Sequence, residues 1–314
     1  MIEVIICTYN GENFIEDQLI SILNQSVIPD LISIFDDQSQ DRTINIIESV
    51  ILKSRVKINV TINKEKKGYR KNFLEAIINS KSKIVFLSDQ DDVWVYSKIE
   101  IMIANLKKSK VDAVCSNSWV TKKDISQATT TFFNQKKIKP FEFNKNSFFS
   151  QARTNSISGS CLCFNNSKKL KRILTTDFSK LEHDYQLGII FSLIGGIRLI
   201  NDKLIYYRQH ENNSLGVQNY SFKDKIYKII FHQENENLVS EKIVLFEILI
   251  QEISDVNKLI VLRKELFFLK AMINLNINWR TRTICLFKNI IWLIKTKRLK
   301  TGLNYIINGF LKSN

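Results

Sequence analysis

Along the first hundred residues, short apolar runs alternate with segments whose apolar positions recur at helical spacing. Residues 3–8 (EVIICT) read as a strand, and Ile15, Leu19, Ile22 and Leu23 then mark one face of a helix. Residues 31–35 give a second strand, closed by DDQSQDRT, where Ser39 or Asp41 can cap a helix carrying Ile44, Ile47 and Ile51. Residues 56–62 are a third strand, 72–78 a helix and 83–87 a fourth strand, followed by a helix over 99–106 and a strand over 111–116. This alternation predicts an α/β fold built on a doubly wound, mostly parallel sheet. In such sheets ligands gather at the carboxyl ends of the strands. Asn10, Asp36, Asp37 and the stretch 89–92 all fall at those ends.

The periodicity fades between 121 and 151, where Lys, Asn and Phe mix without pattern. A segment that long without elements of its own reads as a functional loop or a disordered one. Beyond it, SISGSCLCFNN is strand-like, LEHDYQLGIIFSLIG helix-like, and 197–207 a strand or hairpin. From Tyr220 onward the pattern is helical, with no Gly before Gly302. Two domains are therefore expected, an α/β body over 1–219 and a helical region over 220–314.

Composition adds to this at three points. Only 9 Gly and 2 Pro exclude low-complexity linkers. The net charge of +15 is uneven, since residues 266–314 hold nine Lys or Arg and no acid. The five Cys (Cys7, Cys115, Cys161, Cys163 and Cys285) sit in apolar runs, with Cys161 and Cys163 on one face of an expected strand. That spacing suits no zinc site and predicts buried thiols in a reducing compartment. The start MIEVIICTYN lacks the basic flank of a signal peptide, and no apolar run approaches the 18 or so residues of a membrane span. A cytoplasmic protein is expected.

The sharpest chemical signal is VFLSDQDDVW, in which Asp89, Asp91 and Asp92 crowd behind a buried strand. Like charges this close raise one another's pKa unless a cation relieves them. The stretch is either a solvated acidic turn or a metal site at a strand's end. Mg²⁺ and Mn²⁺ are hard ions that bind one or two carboxylates together with substrate phosphates.

Seven segments, VIICTYNGENFIEDQLISILNQ, FDDQSQDRT, GYRKNF, FLSDQDDVW, SGSCLCFN, HDYQL and YRQHENNSLG, follow one another over roughly residues 2–216. In that order they resemble the inverting glycosyltransferases of family 2, most of all rhamnosyltransferase-like enzymes of bacterial O-antigen and surface polysaccharide synthesis. The resemblance implies the GT-A fold, a mixed doubly wound sheet that binds a nucleotide-diphospho-sugar. It implies Asp37 as the contact to a uracil or thymine, with Thr8 and Tyr9 at the pocket edge and Tyr9 covering the base. Asp89 lies toward the ribose, Arg70 and Arg208 toward the phosphates, and Asp91 with His210 holds the divalent cation, Mn²⁺ or Mg²⁺, with Asp92 in support. Asp184 matches the catalytic base, and Ser158, Gly159 and His183 lie on the acceptor side. Many relatives carry Glu-Asp where this chain has His183-Asp184, so the preceding acid is missing here. Asp36 and Asp41 read as turn former and helix cap.

The implied partners are a UDP- or dTDP-sugar donor and an undecaprenyl-diphosphate-linked glycan acceptor. The tail RTRTICLFKNIIWLIKTKRLK interleaves Ile284, Phe287, Ile291 and Ile294 with Lys288, Lys295, Lys297 and Arg298 around Trp292. Such a helix fits an anionic membrane surface, peripheral at the inner face; it also fits a bundle packed on the body. No nucleic-acid partner is expected. Two alternatives stand beside this reading. A sugar-nucleotide nucleotidyltransferase wants a Gly-rich, basic phosphate loop, which CTYNGENF is not. A non-enzymatic basic module makes Asp91 and Asp184 dispensable.

Overall fold

The computed structural model describes residues 1–122, 125–142, 155–175, 178, 180–210 and 236–273. The chain divides into two compact units, residues 1–216 and 217–314.

In the first unit, β1 (Ile2–Thr8) is buried over all but its first residue, as a strand covered on both faces requires. It pairs in parallel with β2 (Leu31–Asp36) on one side and β4 (Ile84–Ser88) on the other, and β2 pairs with β3 (Lys57–Ile62). β3 is the edge, and its residues are correspondingly exposed or half-buried. Between these strands run α1 (Ile15–Leu23), α2 (Thr43–Ile51) and α3 (Gly68–Asn79). α1 sinks Ile15, Leu19 and Ile22 completely, each stabilising the fold by about 1.5–3 kcal/mol through apolar burial.

The other half follows after the short β5 (Val93–Trp94) and α4 (Lys98–Ser109). β6 (Ala113–Thr121) and β10 (Ile197–Arg208) run parallel, while β9 (Leu162–Asn165) fits antiparallel between β4 and β6. The sheet order is β3-β2-β1-β4-β9-β6-β10-β5. α6 (Lys168–Ile173) and α7 (His183–Leu193) precede β10, and α7 is buried along nearly its whole length. This is the mixed sheet expected of the GT-A fold.

Three details depart from the sequence pattern. The region 121–151 is not structureless where it is described: β7 (Thr130–Thr131) pairs with β6, and α5 (Phe132–Lys136) follows. β8 (Phe141–Glu142) pairs with β10. Phe133 supplies the anchor, fully buried with its N–H donating to Asn117 Oδ1 at 3.1 Å. Residues 159–161 form a 3₁₀ turn closed by Cys161 N–H on Ser158 O, so only Cys163 lies in β9. Cys161 and Cys163 therefore do not share a strand face, although both are free and buried. Finally, β10 is one long strand rather than a hairpin, with register shifts between Leu199 and Lys203 and between Lys203 and Tyr206.

In the second unit, α8 (Glu236–Glu252) and α9 (Val256–Ile273) pack on each other. Asp255 starts α9 by accepting from the N–H groups of Asn257 and Lys258, and Lys270 Nζ meets Glu247 at 2.6 Å. No helix among the described residues is long and apolar enough to cross a membrane. The basic segment 280–300 and Cys285 lie outside the described residues.

Candidate active site

The ends of β1 and β2 form a floor whose carboxylates are already engaged. Asp36 is fully buried and accepts from Thr8 Oγ1 (2.8 Å), Ser39 N–H (2.8 Å) and Ser39 Oγ (2.5 Å). This is the turn-forming role read for it. Asp41 accepts from Thr43 N–H at 3.0 Å, at the entry to α2. Asp37 accepts from Asn63 Nδ2 (2.9 Å), Lys67 N–H (2.8 Å) and Gly68 N–H (2.8 Å). A carboxylate offers about four acceptor positions, so Asp37 retains acceptor capacity beyond these three while it shapes the turn into α3. Gly68 sits in that turn at φ +74°, a left-handed conformation glycine adopts without strain.

Tyr9 stands beside this floor, 42% exposed. Its hydroxyl accepts from Lys66 Nζ at 2.6 Å. Its backbone is gripped by a residue that the sequence reading passed over. Gln90 Oε1 accepts from Tyr9 N–H (2.9 Å), and Gln90 Nε2 donates to Tyr9 O (3.0 Å). The amide so placed imitates a neighbouring strand. A Cβ on Gly11 would lie 2.3 Å from Gln90 Oε1, so any larger residue there would push the Gln90 amide off Tyr9. The pocket edge at Tyr9 is thus tied to the acidic loop.

In that loop the three aspartates differ. Burial, then Asp91 and then Asp184 push the Asp89 carboxyl up to about 7, against the pull of Ser160 and Lys98. Burial also raises Asp91, with His210 and Arg208 opposing. Asp92 is driven well above the carboxylate range by burial, then by Asp91 and Asp89, and neither of its oxygens has a hydrogen-bond partner. Beneath them lies Lys98, fully buried, with Nζ donating to Ser160 O at 2.7 Å and standing 3.6 Å from the Trp94 ring centre. Burial draws this ammonium down to about 8. One buried cation thus faces several buried acids, a charge deficit at the loop.

Asp91 and His210 meet directly, Oδ2 to Nε2 at 2.9 Å, and the imidazole stacks on Phe14 at 4.6 Å. Arg208, expected at the phosphates, is buried nearby; it donates to Asp17 Oδ2 at 2.7 Å and lies over Phe14. Among the described residues no group of three or more His, Cys, Asp or Glu forms a ready metal cage.

Across from Asp89, the first turn of α7 carries His183 and Asp184. Burial and then Glu182 raise the Asp184 carboxyl to about 7, and the Tyr185 N–H donates to its Oδ1 at 2.7 Å. His183 is buried, stacked on Phe73 at 4.5 Å, and burial holds its ring near 4, so it is neutral. Neither ring nitrogen has a hydrogen-bond partner. A Cβ on Gly159 would come 2.6 Å from His183 Nε2. The glycine expected to make room for a sugar therefore makes room for this imidazole, while Ser158 beside it is half-buried. Arg70, expected at the nucleotide, points its Nη2 at Glu182 Oε1, 2.7 Å away.

The structure brings Asp89, Asp91, Asp92, Asp184 and His210 to one end of the sheet, with Thr8, Tyr9 and Asp37 at the adjoining strand ends. Gln90, Lys98 and Glu182 were not singled out. The one signal in the sequence was an amide locked between two acids in DQDD, which points to a structural partner rather than a ligand.

The comparisons agree with this geometry. Residues 3–174 match the Glycosyl transferase family 2 description. The dTDP-rhamnosyl transferase RfbG of Shigella flexneri is 32% identical over 248 residues, covering 71% of this chain and 77% of that protein. WfgD of Escherichia coli, a UDP-Glc:alpha-D-GlcNAc-diphosphoundecaprenol beta-1,3-glucosyltransferase, is 25% identical over 118 residues, 37% of this chain and 45% of that one. The crystal structure of S. aureus TarS 1-349 in complex with UDP-GlcNAc superposes with a TM-score of 0.55 at 15% identity, covering all of this chain and 92% of that one. That last likeness establishes the fold. The nucleotidyltransferase and non-enzymatic readings find no support. With the match spanning more than half the chain, and a relative this similar over most of both lengths, the protein belongs to glycosyl transferase family 2 and is a glycosyltransferase.

Proposed function

We infer that this chain moves a sugar, with inversion, from a UDP- or dTDP-linked donor to a lipid-diphosphate-carried glycan in bacterial surface polysaccharide synthesis. The observation that carries this reading is the electrostatic contact of Asp184 with Asp89 across the site. A carboxyl raised to about 7 and facing the acidic loop supports the reading of Asp184 as the base. The named substrates of RfbG and WfgD support the two donor bases and the lipid diphosphate.

In the reaction, Asp184 takes the proton of the acceptor hydroxyl as that oxygen bonds to the sugar's anomeric carbon. The bond from that carbon to the diphosphate breaks on the opposite face, and its electron pair leaves with the phosphate. Asp37, Thr8 and Tyr9 orient the base, Asp89 the ribose, and Arg70 and Arg208 the diphosphate. Arg208 exchanges its carboxylate partner for phosphate oxygens of the same geometry, whereas Arg70 keeps Glu182 on Nη2 and reaches the diphosphate with its remaining guanidinium N–H groups. His183, Ser158 and Gly159 border the acceptor.

A divalent cation, Mn²⁺ or Mg²⁺, fits Asp91 and His210. Bonded to each other at 2.9 Å, these two side chains would hold the ion with a carboxylate oxygen and an imidazole nitrogen. Asp92, whose carboxyl burial and its neighbours Asp91 and Asp89 hold well above the usual range, would regain its charge beside a bound cation. When bound, such an ion offsets the charge that develops on the departing diphosphate. The lack of a closed protein cage suits an ion completed by substrate phosphates.

The assignment extends to the domains: residues 1–219 are catalytic, and the basic stretch of 220–314 holds the enzyme at the anionic inner membrane surface, where a lipid-carried acceptor resides. The test is a panel of nucleotide sugars with Mn²⁺, scored by thermal stabilisation and by release of nucleoside diphosphate. Response to a UDP- or dTDP-sugar alone supports the reading; silence toward every nucleoside diphosphate, with and without metal, refutes it.

A further inference from the structure

Glu182 occupies the N-cap position of α7, yet it makes no side-chain cap to its own helix. Capping is what a residue there ordinarily does. Both of its carboxylate oxygens instead reach the first turn of α3. Oε2 accepts from Tyr69 Oη at 2.6 Å and Oε1 from Arg70 Nη2 at 2.7 Å. The helix bearing the base is thereby bolted to the helix whose entry is shaped by Asp37. His183, wedged between Phe73 of α3 and Gly159, braces the same junction.

We propose that Glu182 is a positioning residue for Asp184, fixing its distance from the donor side through Tyr69 and Arg70 and setting, by its own charge, the charge state of that base. This rests on the reading of Asp184 as the base. Two distinct contributions follow from one side chain. The tether is geometric, and Tyr69 and Arg70 share it. The charge acts over two residues of chain and is opposed by the Arg70 guanidinium.

The surroundings of Asp184 allow that influence to be felt. On its own helix Glu182 raises it, while the Tyr185 N–H and the Asn155 side chain stabilise its anion. From the acidic loop Asp89 faces it; from α3, Tyr69; from β6, Cys115. Burial and the hydrogen bond to Glu182 push the Tyr69 hydroxyl upward, and burial does the same to Cys115, so both face Asp184 as neutral groups. The neighbouring His183 is neutral as well. Of the acids among these groups, Asp89 is itself raised to about 7, while Glu182 is bonded to the Arg70 guanidinium. A base kept near neutrality serves proton abstraction best near its own pKa.

The experiment reads the base directly in the full-length, metal-free protein, without a donor. Carboxyl ¹³C-labelled aspartate is titrated by NMR, and the Asp184 signal is identified by its loss in Asp184→Asn. Glu182→Gln keeps the shape and removes the charge, and should lower the Asp184 midpoint by about one pH unit, whereas Arg70→Met should raise it. Tyr69→Phe leaves the charges in place; it should leave the midpoint alone and lower kcat several-fold with the donor found by the nucleotide-sugar panel. Midpoints that do not move in opposite directions overturn the inference. So does a Tyr69→Phe enzyme of undiminished kcat. Should Glu182→Gln fail to fold, as a circular dichroism melt would show, the rise in Arg70→Met decides alone. A donor panel that stays silent refutes the functional reading and leaves the titration to judge the charge relation.

Discussion

Asp36 and Asp37 on one side, and Asp89, Asp91 and Asp92 on the other, are an acidic pair and an acidic triplet at strand ends of the same mixed sheet. They are built in opposite ways. Each carboxylate of the first group accepts three hydrogen bonds from the chain. In the second group Asp92 has none, and all three carboxyls are raised by burial. Internally satisfied acids hold a turn; acids buried together with too few donors are unfavourable until something positive arrives. The contrast separates scaffold from site without reference to any ligand.

The strongest test of that division is Asp184→Asn, which should lower nucleoside diphosphate release by about 10²–10⁴-fold, the contribution of a positioned base, while melting no earlier than the parent protein. Asp91→Asn should abolish Mn²⁺-dependent donor binding in calorimetry, with metal-free stability equal or higher because a repelling charge is gone. Asp37→Ala should instead lose stability together with donor affinity. Losing three buried hydrogen bonds costs about 3 kcal/mol, seen as a lower urea midpoint.

The pH dependence follows with a definite sign. Asp89 and Asp184 titrate near 7 in the folded protein, against about 4 when unfolded. Between those values the folded state binds more protons, so metal-free stability should fall as pH rises from 4 to 7. A melting series in EDTA checks this, and Asp184→Asn should flatten the slope. The smallest effect is expected from Gln90→Leu, which cuts the tie between Tyr9 and the acidic loop. Donor KM should rise several-fold with kcat little changed, measured by initial rates.

Much of the fold was legible because its central strands are buried on both faces and its helices carry a clear apolar stripe. Ile15, Leu19 and Ile22 face the core as the pattern requires. The 3₁₀ turn at 159–161 was not legible, since SGSCLCF differs from a strand only by a glycine whose purpose lies with His183. The short elements of 121–142 were hidden for a related reason. They are anchored by Phe133 and by sheet pairing rather than by periodicity. At the site, the acids announced themselves as charges at strand ends. Gln90, Lys98 and Glu182 did not, because their partners lie 81, 62 and 112–113 residues away in sequence. Nothing local encodes such contacts.

One pairing governs how the site is assembled. Val93 and Trp94 ladder against Tyr206 and Ile205, so the segment after Asp92 and the strand that ends in Arg208 are stitched together. Asp91 and His210 thus flank one paired stretch of β5 and β10. Under the function proposed above, the contrasting wall is the one where the exposed ring of Tyr9 meets the ammonium of Lys66.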